Sequence, residues 1–354
     1  MAVTLGVARE SAQGERRVAL TPETARKLVA AGVTVRVQRG LGEFARFPDQ
    51  AYADAGADLI DGDVRAEADV VLCVQPPAAE AIARMKPGAV LVGALQPQAD
   101  EARAEAIRSR GIVAFPLERL PRTTRAQAMD ILSSQAGIAG YKAVLIAAQL
   151  APRYFPMLTT AAGTIRPSKV LIVGAGVAGL QAVATARRLG AQVECFDVRP
   201  ETREQIESLG GKFLDLGVSA AGEGGYARQL TDEERALQQQ KLAEHLKGID
   251  VVVCTAAVPG RPAPKIVSAA MVAGMKPGSV IVDLAAETGG NCELTRRGQT
   301  FETDNGVVVA GPLDLASQGA LHASEMFARN VYNFVSLLLR DGALAFDWDD
   351  ELLA

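Results

Sequence analysis

Residues 170–198, VLIVGAGVAGLQAVATARRLGAQVECFDV, constrain this chain more than any other stretch. An apolar run leads into Gly174, Gly176 and Gly179, a G-x-G-x-x-G pattern set between a strand and a helix. Gly174 permits a tight turn, Gly176 lets the backbone approach a pyrophosphate, and Gly179 lets helix and strand pack closely. A helix N-terminus at that point offers free N–H groups and the positive end of the helix dipole to phosphate. Asp197 closes the second strand about 20 residues further on, where a carboxylate accepts the hydrogens of adenosine ribose hydroxyls. The whole predicts a βαβ dinucleotide site, with Val177, Ala178, Val198 and Ala256 as further cofactor contacts. A carboxylate at Asp197 repels a 2′-phosphate, so NAD(H) is expected rather than NADP(H). Arg199 could soften that preference by pairing with a phosphate, or it could lie over the adenine or point into solvent. The competing interpretation is a crossover whose glycines serve packing alone.

The rest of the chain alternates in the same way. VTLGVA, VTVRVQ at 33–38, DVVLCVQ at 69–75, GAVLVGAL at 88–95 and GIVAFPL at 111–117 have strand patterns. TPETARKLVAAG carries helix start and stop signals, with a threonine cap, an early proline and a closing glycine; ADEARAEAIRSRG is a second such helix. Residues 124–150 read as one long helical connector, and LTTAAGTIRP at 158–167 as a polar, turn-rich bridge. A second series follows: KVLIVG, QVECFDV, DVVVCTA, SVIVDLA and GVVVAG, and then a helical segment, 317–339, that returns to the first domain. Strands alternating with helices imply parallel sheets covered on both faces. The expected fold is α/β: two Rossmann-like parallel-sheet domains separated by a cleft, the first discontinuous and completed by a C-terminal helix. The boundaries are 1–130 plus 317–354 for the N-terminal domain and 131–316 for the dinucleotide-binding domain. A chain of 354 residues accommodates two such cores.

Composition removes other classes. A net charge of −4 without a basic run argues against a nucleic-acid partner. Cys73, Cys195, Cys254 and Cys292 are too scattered for a metal or redox motif, which fits a reducing compartment, and no metal site is expected. The apolar stretch from Val170 to Ala186 is broken by glycines and shorter than the usual span of about 20 residues, so it reads as strand, turn and helix. MAVTLGVARE lacks the basic flank and apolar stretch of a signal peptide. A soluble chain that reaches a membrane only through partners is expected.

Three more segments carry a family resemblance: ERRVALTPE at 15–23, PRTTRAQAMDILSSQAGIAGYKAV at 121–144 and VIVDLAAETGGNCELT at 280–295. Together with the glycine motif they resemble the superfamily of alanine dehydrogenases and the NAD(H)-binding component of proton-translocating transhydrogenase, from the N-terminus to about residue 340. The resemblance implies that Arg122, Gln127 and Asp130, with Ser133 beyond them, hold the nicotinamide. A carboxamide offers one acceptor and one NH₂ donor; Arg122 or Gln127 can donate to it, and Asp130 or Ser133 can accept. On a continuous helix Gln127, Asp130 and Ser133 would share one face. The resemblance also implies a loop bearing Gly225 and Tyr226 that closes over bound nucleotide, with Gly222 and Gly224 as hinges.

The two branches need different chemistry. An amino-acid dehydrogenase moves a proton as well as a hydride and so requires an acid–base group. Where the resemblance places that branch's lysine and histidine, this chain has Gln75 and Gln96, which do not titrate. Its substrate-binding arginine is matched by Arg17, read here as a structural ion-pair residue, and Glu287 stands near a further acidic position. His245 is expected to be solvated and His322 to lie on a helix surface or between domains. Hydride transfer between two nicotinamides needs only approach, alignment and exclusion of water. The resemblance therefore implies the NAD(H)-binding alpha subunit of a proton-translocating transhydrogenase, with NADP(H) on a partner subunit and the proton channel on a membrane subunit. It further implies a homodimer, cytoplasmic and peripheral on the inner face of the cell membrane. An alanine-type dehydrogenase and a non-catalytic NAD-sensing module are the rivals.

Overall fold

The computed structural model describes residues 2–97, 99–220, 228, 230–257 and 260–353. The chain falls into two compact units, Met1–Gln135 with Ala316–Ala354, and Ala136–Leu315.

The first unit is built on six strands: β1 (Thr4–Val7), β2 (Thr34–Gln38), β3 (Asp58–Ile60), β4 (Val70–Leu72), β5 (Val90–Gly93) and β6 (Val113–Pro116). They pair in parallel in the order β3-β2-β1-β4-β5-β6, the doubly wound order that reverses direction between β1 and β4. Helix Pro22–Ala30 starts at the expected threonine: Thr21 and Thr24 form a reciprocal capping box and Pro22 opens the first turn. Helix Ala320–Leu337 returns to this unit because its apolar side repeats at helical spacing. It buries Ala320, Phe327, Val331, Phe334 and Val335 in the same core as β1 and β2. Phe334 meets Phe115 of β6 with ring centroids 5.1 Å apart.

The second unit begins with a hairpin, β7 (Leu158–Thr160) and β8 (Gly163–Ile165), where a turn-rich bridge was expected. The two threonines that made the segment look polar face each other across the strands, Thr159 Oγ1 to Thr164 Oγ1 at 3.3 Å. The main sheet comprises β9 (Lys169–Val173), β10 (Gln192–Phe196), β11 (Lys212–Phe213), β12 (Val251–Cys254), β13 (Val280–Asp283), β14 (Thr300–Glu302) and β15 (Val308–Ala310). Its order is β11-β10-β9-β12-β13-β15-β14, parallel except for β14 at the edge, and it reverses between β9 and β12. Core strands such as β9 and β12 read as unbroken apolar runs because helices cover both faces.

The long connector is not one helix. A short 3₁₀ turn, Ala126–Met129, ends at Asp130, whose backbone is extended (φ −73°, ψ 93°), and the α-helix Ile131–Leu150 starts after it. Asp130 Oδ1 accepts the Ser133 N–H at 2.9 Å, the geometry of a helix cap, and a capping residue must leave the helical conformation. Gln127, Asp130 and Ser133 consequently do not share a helical face. Helix Ile131–Leu150 is, by length and composition, long and apolar enough to cross a membrane. Ala143, Val144 and Ala147 on it are fully buried in the core of the second unit. At Gly140 it passes so close to the Ala178 carbonyl that no Cβ would fit between them.

Candidate functional site: a glycine cradle and a carboxamide-binding loop

The three motif glycines occupy different environments. Gly174 has φ +98°, in the left-handed region, and a Cβ there would crowd Ala256 N and Thr255 Oγ1 at 3.0 Å. Gly179 lies so tightly under the turn that a Cβ would overlap the Gly174 carbonyl oxygen. Gly176, in contrast, faces open space. It is also the N-cap of helix Val177–Arg188 and supplies no side-chain acceptor to the first-turn N–H groups. Val177 beside it is 46% exposed, unusual for its type, while Ala178 is half-buried. A twelve-residue helix with an uncapped N-terminus and an open glycine fits a pyrophosphate.

Asp197 follows β10 and is buried, and both of its oxygens are engaged. Oδ2 accepts the Ala175 N–H of the glycine turn at 2.7 Å and Arg199 Nη2 at 2.8 Å; Oδ1 accepts Arg199 N and Nε, each at 2.9 Å. Burial pushes the carboxyl up, but the Arg199 guanidinium and the two backbone amides outweigh it and hold it below the usual carboxylate range. Of the readings open for Arg199, this structure displays an ion pair with Asp197. Val198, next along, accepts Ala220 N through its carbonyl at 2.7 Å.

Opposite the glycine turn, Thr255 Oγ1 bonds the Gly174 carbonyl at 2.9 Å, and Ala256 is held by Asn291 in both directions. Asn291 Oδ1 accepts Ala256 N at 3.0 Å, and its Nδ2 donates to Ala256 O at 2.7 Å and Pro264 O at 2.9 Å. Asn291 is fully buried and was not singled out from sequence; its place in the quoted segment 280–295 was the available signal. Gly225 and Tyr226, with Gly222 and Gly224, lie outside the described residues.

In the first unit, Arg122 and Gln127 are exposed, Asp130 and Ser133 half-buried. Ser133 Oγ donates to Asp130 Oδ2 at 2.6 Å, so the Ser133 hydroxyl has only acceptor capacity left. The loop between them is pinned from below. Asn330 Nδ2 and Asn333 Nδ2 both donate to the Ala128 carbonyl, at 2.8 and 2.9 Å, and Arg125 pairs with Asp350.

The direction reversal of the first sheet is occupied by its own side chains. Glu10, after β1, accepts the N–H groups of Val74 (2.6 Å) and Gln75 (3.2 Å), after β4. Burial drives Glu10 up to about 7, with the two amides opposing the shift. Gln75 Nε2 donates to Glu15 Oε2 at 2.8 Å. Arg17 closes on Glu15 with Nε (2.8 Å) and Nη2 (2.6 Å), so it is an ion-pair residue here. Burial raises Glu15, but Arg17 and Gln75 bring it below its ordinary value. Gln96 sits at φ +43° with its N–H on Glu118 at 2.6 Å, and Glu287 accepts Asp314 N at 3.1 Å.

His245 is not simply solvated: its Nε2 lies 2.6 Å from Glu194 Oε2. His322 is exposed on helix Ala320–Leu337. All four cysteines are buried and free. Among the described residues no cluster of three His, Cys, Asp or Glu side chains is placed to hold a metal.

Two outcomes follow from these contacts. Gly179→Ala should abolish NADH binding, because the added carbon must push the helix N-terminus off the strand end; a fluorescence titration within about threefold of the parent Kd would contradict it. Glu10 is raised above its unfolded value of 4.5, so its contribution to stability is complete below that value and is lost as pH rises through about 7. Glu10→Gln should therefore flatten the fall in stability between pH 5 and 8, a difference on the order of 3 kcal/mol. Urea unfolding at the two pH values measures it; parallel losses in parent and variant would refute the assignment.

Comparison with known proteins agrees with this geometry. Residues 6–139 match the family model described as alanine dehydrogenase/PNT, N-terminal domain, and residues 143–354 the corresponding C-terminal domain. The NAD(P) transhydrogenase subunit alpha of Haemophilus influenzae is 40% identical, over 99% of this chain and 69% of its own length. In Rhodospirillum rubrum the first of the separate polypeptides of that alpha subunit is 44% identical, over 94% of this chain and 89% of its own length. The structure of a transhydrogenase from Sinorhizobium meliloti superposes with a TM-score of 0.90 at 43% identity, covering 99% of this chain and 96% of that one. An L-alanine dehydrogenase structure gives 0.80 at 26% identity, covering 95% and 90%. This chain belongs to the alanine dehydrogenase/PNT family, and within it stands with the transhydrogenase alpha subunits.

Proposed function

We propose that this chain is the NAD(H)-binding component of a proton-translocating transhydrogenase. NAD(H) binds on the glycine cradle of the second unit, with its pyrophosphate on the N-terminus of helix Val177–Arg188. Ribose hydroxyls take places on Asp197 that Arg199 now fills. Arg122 or Gln127 donates to the nicotinamide carboxamide, and Asp130 or Ser133 accepts from it. The bound cofactor supplies the hydride chemistry, exchanging hydride with NADP(H) on a partner subunit. The chain's own residues orient the ring, and a separate membrane subunit couples the transfer to proton movement. The subunit wording of the relatives supports such an assembly. A homodimer held to the cytoplasmic face of the membrane by its partners completes the reading.

One observation carries it. At the positions where a dehydrogenase needs an acid–base group and a carboxylate anchor, Gln75 donates to Glu15 and Arg17 is closed on the same carboxylate. A group that cannot titrate and an arginine already neutralised suit ring-to-ring transfer better than deamination of an amino acid.

The test mixes the purified chain with the NADP(H)-binding subunit of its own organism and follows hydride transfer from NADH to an NADP analogue. Transfer is expected, together with no turnover of alanine or of pyruvate plus ammonium by the chain alone; the reverse pattern would overturn the reading. In the same assay Asp130→Asn and Gln127→Ala should slow transfer about tenfold or more while NADH Kd moves less than about threefold. Equal losses in rate and affinity would mean that these side chains bind rather than align.

A further inference from the structure

Arg17 is the matched residue that the proposed reaction leaves without a task, and the structure gives it one. Its guanidinium is only 10% exposed and the Glu15 side chain 1%. Nε and Nη2 are fixed on Glu15, and Nη1 reaches Gln135 Oε1 at 2.9 Å. Gln135 lies in the second turn of helix Ile131–Leu150, two residues after Ser133. Its Nε2 donates to Ser134 Oγ and to the Ala323 carbonyl, both at 3.1 Å. This one amide thus joins the helix start to Arg17 on one side and to helix Ala320–Leu337 on the other.

Glu15 is itself over-determined. It accepts the backbone N–H groups of Arg16 (3.0 Å) and Arg17 (2.8 Å), the Gln75 amide, and the Ser317 hydroxyl at 3.2 Å. A carboxylate held by so many donors gives Arg17 a fixed base, and a bidentate guanidinium passes that rigidity to its third partner. The Ala128 carbonyl, pinned by Asn330 and Asn333, fixes the other side of the same loop. Asp130 and Ser133 lie between the two anchors, and their mutual hydrogen bond depends on the helix starting where it does.

We propose that Glu15, Arg17 and Gln135 are positioning residues: a buried brace that sets the first turn of helix Ile131–Leu150, and so aims Asp130 and Ser133 at the nicotinamide carboxamide. They touch neither nucleotide nor reacting atoms and act only through the helix start. The inference rests on the proposed role of Asp130 and Ser133. An arginine that could anchor a substrate carboxylate is thereby turned into part of the scaffold, because Glu15 occupies its fork and Gln135 its remaining side.

Three chains separate this proposal from the reading beneath it: the parent, Gln135→Met and Gln135→Glu. Methionine keeps the volume and the helix but removes both hydrogen bonds of the brace, whereas glutamate keeps an acceptor for Arg17. Single-turnover hydride transfer with the NADP(H)-binding subunit should fall about tenfold in Gln135→Met, with NADH Kd within about threefold of the parent. Gln135→Glu should recover most of that rate. Arg17→Lys, which keeps the charge beside Glu15 but cannot fork, should lose rate beyond any loss in affinity and guards against a methionine variant that fails to fold. Parental transfer rates in both Gln135→Met and Arg17→Lys would overturn the brace, as would losses of affinity equal to the losses of rate. Failure of the parent itself to transfer hydride would instead overturn the function on which the proposal stands.

Discussion

The tightest constraint in the second unit is the absence of any atom between Gly179 and the Gly174 carbonyl. That contact seats the N-terminus of helix Val177–Arg188 directly over the end of β9, and it works only because neither residue carries a Cβ toward the other. The neighbouring pieces follow from it. Gly174 must turn at positive φ to bring the chain round, and Thr255 and Ala256 close on the turn from the end of β12. Asp197 ties the turn to β10 through the Ala175 amide. The result is a rigid ring of backbone whose one open position, Gly176, coincides with the uncapped helix end. An anion at that position gains from dipole and N–H groups without any charged side chain being needed.

The two sheets share the same order about their central strand, yet they use the reversal differently. In the second unit the reversal between β9 and β12 is lined by glycine and small residues. In the first, Glu10 bridges from the end of β1 to the backbone beyond β4, and the Glu15, Arg17 and Gln75 cluster lies beside it. Open α/β sheets bind ligands at such crevices. Filling one with a self-satisfied polar network converts a binding position into a support. The cost is a buried carboxyl kept near neutrality of charge, which is why Glu10 alone in that cluster is raised while Glu15, paired with an arginine, is lowered.

How much of this was legible follows from how local each cause is. The glycine turn could be read residue by residue, because each glycine answers a backbone demand within a few positions of itself. The core strands could be read from unbroken apolar runs, and helix Pro22–Ala30 from its threonine and proline. The very short strands β3 and β11 and the edge strand β14 left no pattern long enough to register. The break at Asp130 was missed because apolar periodicity continues through it; only a side chain turning back onto the Ser133 amide stops the helix. The pairs Arg17–Glu15 and Asp197–Arg199 are near in sequence, but which way each arginine turns is decided by burial, which no spacing records. Asn291 joins segments distant in sequence and was invisible for that reason.

Cofactor choice is the point at which these local facts meet. Asp197 alone would make a simple argument for NAD, since a carboxylate and a 2′-phosphate repel. With Arg199 folded onto it the pair presents little net charge, and its four acceptor directions are taken by Ala175 N, Arg199 N, Nε and Nη2. A ribose diol can enter only by displacing the guanidinium, and it replaces one set of hydrogen bonds with another, so the net gain is smaller than the count of contacts suggests. A 2′-phosphate would need the same displacement and would then face the bared carboxylate, with the freed arginine as its only compensation. The backbone bond from Ala175 survives in either case and keeps Asp197 at the end of β10. Selectivity for NAD(H) thus depends less on the carboxylate itself than on where Arg199 settles once it has been moved.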